Sequence, residues 1–155
     1  MKKLIILLTV SCLICGLALA GGKGAVKADM VVHSDSGTDE MPAGTVVGSV
    51  NLNTTAEGCL IVVVNLDDAA EGVYDSLVHI NGTKILDQVA EDCLKVNAKG
   101  QGTANYKVDL GALDIPEDAT EIEVKVVVRP SFSPNTTPCY VNGPAWPTEI
   151  VVPLK

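Results

Sequence analysis

From Gly44 to its C-terminus this chain alternates aliphatic and polar residues with a period of two, and that alternation limits its fold more than any motif does. "GTVVGSVNL" (44–52) sets Val46, Val50 and Leu52 on one face, with Gly48 between them. "CLIVVVNL" (59–66) is apolar on both faces, as a central strand is. "VYDSLVHI" (73–80) divides Tyr74, Ser76, Val78 and Ile80 from Val73, Asp75, Leu77 and His79. The same reading makes strands of "CLKVN" (93–97), "ANYKVDL" (104–110), "EIEVKVVV" (121–128) and "EIVVPL" (149–154), where Pro153 suits an edge. Side chains of a strand point alternately to its two faces, and β-branched residues pack well on a pleated surface. The joints "NTTAEG", "NLDDAAEG", "HINGT", "AKGQG" and "DIPEDAT" are turn-like, and Asn81-Gly82 is a strong hairpin signal because both residues tolerate positive φ. Only "ILDQVAED" (85–92) leaves room for a turn or two of helix. The expected fold is all-β: an antiparallel β-sandwich, immunoglobulin-like or jelly-roll-like, with about seven strands over residues 44–155.

What precedes that domain has a different texture. Met1-Lys2-Lys3 is a basic start, Leu4 to Leu17 carries no charge, and Ala18-Leu19-Ala20 supplies the small residues of a signal-peptidase site. Residues 1–20 are therefore expected to be a cleaved signal peptide, too short for a membrane span. Cys12 and Cys15 lie in poor lipidation contexts, after Thr9 and Ile14 respectively. Residues 21–43 read as a flexible arm rich in Gly, Ser and Asp, with Met30-Val31-Val32 as its apolar stretch; a short strand is the other reading. Removing Lys2 and Lys3 leaves 9 basic against 19 acidic residues, a formal −10. Such a surface repels phosphate backbones and anionic headgroups, so nucleic acid is excluded as a partner, and the membrane is met only through the leader.

Three cysteines remain after the leader: Cys59, Cys93 and Cys139. An exported chain meets an oxidising compartment, so one disulfide and one spare thiol are expected, with all three pairings open. Residues 129–148 form a proline-rich loop that holds five of the eight prolines together with Phe132, Tyr140 and Trp146. A stiff loop can present those rings to a ligand; alternatively they cap an open end of the sandwich.

Reaction chemistry is sparse. There is no G-x-S-x-G elbow, no phosphate-cradling glycine loop, no C-x-x-C and no recognisable Cys–His pair. The loops "SDSGTDE" (34–40) and "NLDDAAEGVYD" (65–75) crowd carboxylates without the D-x-D-x-D-G spacing that wraps calcium. A sandwich strand reading "LVHI" is similar to the copper–zinc superoxide dismutases and to chordin-type CHRD domains, in the strand-and-turn rhythm of residues 44–128. For the dismutases that resemblance implies a copper site built from several histidines, with an H-x-H pair on one strand. Here His79 stands alone in the sheet and His33 lies in the arm. No catalytic residue, metal ligand or cofactor is assigned.

The sharper constellation is three Asn-x-Thr triplets, at Asn53, Asn81 and Asn135, where chance predicts about one. All three are expected on turns or loops, as candidate glycosylation sites. The functional expectation is a secreted or cell-surface, non-catalytic sandwich with an adhesion, envelope-structural or ligand-binding role, whose partner is an extracellular protein, a glycan or another copy. The alternatives are a filament subunit that donates "AVKADMVVH" (25–33) to a neighbour's sheet, and a degenerate dismutase-like or CHRD-like domain.

Overall fold

The computed structural model describes residues 24–35, 37–88, 94–130, 140–142 and 149–155, with 86–88 and 141–142 in backbone alone. The expected leader (1–20), Cys93, Phe132, Asn135, Cys139 and Trp146 lie outside the described residues. Ten strands form among those described: β1 (Val26–Val32), β2 (Val46–Thr54), β3 (Cys59–Leu66), β4 (Gly72–Ile80), β5 (Thr83–Gln88), β6 (Leu94–Val96), β7 (Gly102–Asp109), β8 (Glu121–Pro130), β9 (Tyr140–Asn142) and β10 (Ile150–Pro153).

Two antiparallel sheets face each other. One has the order β1–β2–β3–β7. In the other, β5 and β6 share one edge of β4, β8 takes its second edge, and β10 lies beyond β8. The orders β2–β3–β7 and β4–β8–β10 are those of an immunoglobulin-type Greek key, the first of the two sandwich orders expected. Short β9 pairs with both β8 and β1, so the sheets are joined along that corner.

The alternation read from sequence decides what lies between the layers. Leu52, Leu60, Val62, Val64, Val78, Ile122, Val124, Val126, Val128 and Val152 are buried there, with Tyr74, Tyr106 and Tyr140. Burying an aliphatic side chain contributes roughly 1.5–3 kcal/mol, so this apolar layer is the main source of stability. Thr54 closes one end by donating from Oγ1 to the carbonyl of Pro153, 2.6 Å away, which ties β2 to β10 across the layers.

Four expectations need correction. Residues 26–32 are not part of a flexible arm but follow the other reading, a short strand paired with the domain: they form β1, between β2 and β9, and bury Met30, Val31 and Val32. Main-chain pairing on both edges and three buried apolar side chains outweigh the polar, Gly-rich flanks that suggested disorder. Val46 does not face the core. The β1–β2 register shifts between Met30 and Val31, a bulge that turns Val47 inward and leaves Val46 54% exposed. Residues 83–88 are strand β5 rather than the start of a helix, because Asn81 (φ 48°) and Gly82 (φ 78°) reverse the chain at once and lay it beside β4. The stretch 129–148 is also interrupted by structure, since Arg129 and Pro130 end β8 and Tyr140–Asn142 is β9.

Candidate functional site on the outer face of the first sheet

The interior offers little to chemistry. The Tyr74 hydroxyl donates to the carbonyl of Ala70 at 2.7 Å, and the amide of Ala70 donates to the Tyr140 hydroxyl at 2.7 Å. The two hydroxyls are 3.3 Å apart and the rings 5.4 Å, tilted by 39°. Burial, followed by the hydrogen bond to Tyr140, holds the Tyr74 phenol well above its ordinary range, so it stays protonated and serves as a structural donor. Tyr106 on β7 donates to Ser76 Oγ on β4 at 2.6 Å, a bond that joins the two layers. These hydroxyls staple the fold. Tyr140, considered above as ligand-facing, is wholly buried and belongs to the core.

The other expected site residues are dispersed. Asn53 is not in a turn: it lies within β2, half-buried and opposite Ile61, with Lys155 Nζ donating to its Oδ1 at 3.2 Å. Asn81 sits at the exposed β4–β5 turn as read, and the amide of Glu123 donates to its Oδ1 at 2.9 Å. Cys59 begins β3 as a buried free thiol. His79 lies on the outer side of β4 directly opposite Lys84 on β5 and Lys125 on β8. Cross-strand partners share a face, so a lysine stands on each side of the imidazole, and Lys125 is itself paired with Glu149 at 2.8 Å. The Nδ1 of His33 accepts from the amide of Asp35 at 3.1 Å in the turn after β1. Among the described residues no three His, Cys, Asp or Glu side chains gather closely enough to share a metal ion. Buried Asp75 lies opposite Arg129, whose Nε is 3.9 Å from its Oδ2, as a cross-strand ion pair.

A more coherent surface emerges on the outside of the first sheet. Register places Asp29, Ser49, Asn65 and Thr103 in one row across the four strands. The next row is Lys27, Asn51, Val63 and Asn105, and the third is Asn53, Ile61 and Lys107. The charged side chains of these rows stand on the marginal strands β1 and β7, and the Lys155 ammonium reaches the face at Asn53. The central pair, β2 and β3, presents Ser49, Asn51, Asn53, Ile61, Val63 and Asn65, all half-buried and uncharged. Three carboxamides stand around two aliphatic side chains; Asn53 Oδ1 accepts from Lys155 Nζ and Asn65 Oδ1 from Thr103 Oγ1, both at 3.2 Å.

Sequence reasoning missed this face because it scored "CLIVVVNL" as buried on both sides. The available signal was "SVNLNT" (49–54), in which every outward position through Asn53 is small and uncharged in an otherwise acidic chain. No family model, curated protein or solved structure matches this chain.

Proposed function

We propose that this chain is exported and acts as a non-catalytic, surface-displayed β-sandwich that binds a neutral glycan on the outer face of β2 and β3. The observation that carries the reading is the run of uncharged, half-buried side chains that β2 and β3 present at the middle of that face. Carboxamides and the Ser49 hydroxyl match sugar hydroxyls, and Ile61 and Val63 match the C–H surface of a pyranose ring. Size favours a small ligand. Four strands and three rows, at the usual strand spacing and two-residue repeat, cover on the order of 300 Å². A specific protein partner, or a second copy, ordinarily buries about 800 Å² on each side. Export rests on the leader pattern at residues 1–20.

Donor-strand assembly has less support. Such a subunit needs a gap that the neighbour's arm fills, whereas here β1 pairs with β2 of its own chain. The dismutase-like alternative lacks support from His79, whose cross-strand neighbours are both lysines.

The test is binding of the secreted protein to immobilised neutral and acidic polysaccharides, with Asn51→Asp and Asn65→Asp as near-isosteric variants that remove donors and add charge. Binding to a neutral polysaccharide, weakened at least about tenfold in both variants with an unchanged melting temperature, is the expected result. Retention only on acidic polysaccharides, or neutral binding indifferent to both variants, would refute the assignment.

A further inference from the structure

Two of the three Asn-x-Thr triplets fall within the described residues, and the fold treats them differently. Asn81, Gly82 and Thr83 are all exposed at the tip of the β4–β5 hairpin. Asn81 is held there from two directions: its amide donates to the carbonyl of Glu123, and its Oδ1 accepts from the amide of Glu123, both at 2.9 Å. Its Nδ2 has no partner among the described residues, so the atom that would be modified is not the atom that fixes the turn. Conversion to a glycosylated amide keeps Oδ1 as an acceptor and leaves the Glu123 bonds in place.

Asn53 is the opposite case. It is half-buried within β2 and pairs with Ile61, and Thr54 beside it is buried with its hydroxyl bound to Pro153. The third member of the triplet, Thr55, has its Oγ1 occupied by the amide of Cys59 at 3.2 Å. Presenting this triplet to an enzyme would strip the end of the β2–β3 ladder and expose Thr54. A glycan on Asn53 would also cover the uncharged face, whereas one on Asn81 hangs from the other layer.

We infer that Asn81 is an asparagine-linked glycosylation site and that Asn53 stays unmodified. The donor is a polyprenyl-diphosphate oligosaccharide supplied, with its transferase, by the export pathway. Nδ2 attacks the anomeric carbon and an N–C bond forms. The C–O bond to the diphosphate breaks, polyprenyl diphosphate leaves, and Nδ2 gives up one proton. The inference rests on the proposed export of the chain, and it does not depend on what the β2–β3 face binds.

The experiment is secretion of the full-length chain, in an Asn135→Gln background, from a host with asparagine-linked glycosylation, read by intact mass and glycopeptide mapping. The expected product has lost residues 1–20 and carries one glycan, on the peptide containing Asn81. Thr83→Ala, which leaves Asn81 in its turn, abolishes that mass increment, Thr83→Ser retains it, and Asn53→Gln leaves it unchanged. A processed, secreted protein that is bare at Asn81, or occupied equally at Asn53, overturns the inference while leaving export intact. Cell-retained protein with an uncut leader overturns the export reading, and the glycosylation assignment falls with it.

Discussion

Tyr74 joins two roles that usually compete, a large apolar ring for the core and a hydroxyl that must find a partner there. Its position on β4 gives it both, because the connection that precedes the strand brings the carbonyl of Ala70 within 2.7 Å. Tyr74→Phe keeps the ring and leaves that carbonyl without its donor, so a loss of about 1–2 kcal/mol in unfolding free energy is expected. The pH response distinguishes this account from loss of packing. Folding raises the Tyr74 pKa above its unfolded value of 10.0, mainly through burial. Above that pH the native state holds a proton that the unfolded chain has released, so stability falls as pH rises, by about 1.4 kcal/mol per unit. Below pH 10 both states are protonated and the group contributes no slope. Urea titrations at pH 9 to 11 should show the alkaline slope in the wild type and a reduced slope in Tyr74→Phe; equal slopes would remove Tyr74 as its source.

At the scale of elements, the central strands were legible and the corner was not. β7 and β8 carry clean two-residue alternation with the inward residues the sequence indicated, and β4 turns Tyr74, Ser76, Val78 and Ile80 inward as read, whereas β3, read as apolar on both faces, leaves Ile61, Val63 and Asn65 half-buried on its outer side. Pro153 does lie on an edge strand, in β10. β1 was obscured because only Met30, Val31 and Val32 advertise it, and all three are buried instead of alternating. Sequence periodicity cannot show that β9 covers one edge of β1 while β2 takes the other. The bulge that reverses Val46 and Val47 was likewise invisible, since it depends on register. Of the candidate site, the turn at Asn81 was readable from Asn-Gly chemistry. The uncharged face was not, because it exists only once four strands are placed side by side. Gly48 has no room for a side chain between β2 and β3: its φ is 155°, and a Cβ there would enter the space of the Asn65 carbonyl oxygen. Gly48→Ala should therefore cost about 3 kcal/mol or more by forcing the two backbones apart. A melting temperature within a degree or two of the wild type would show that the ladder yields at that point.

Over the whole molecule, polarity is sorted by place. Acidic residues collect in exposed connections, with Asp67, Asp68 and Glu71 between β3 and β4, and Asp114, Glu117 and Asp118 between β7 and β8. The space between the layers is apolar apart from bonded groups such as the tyrosine hydroxyls, Ser76 and Thr54. The first sheet is completed by β1 from within the same chain. Amide hydrogen exchange on the leader-free protein tests that internal completion of the sheet. The hydrogen-bonded amides of residues 26–32 should exchange at least about a thousandfold more slowly than in an unstructured peptide, in one cooperative unit with those of residues 59–66. Exchange of residues 26–32 at unstructured rates, while residues 59–66 remain protected, would mean that β1 is not part of its own chain's sheet.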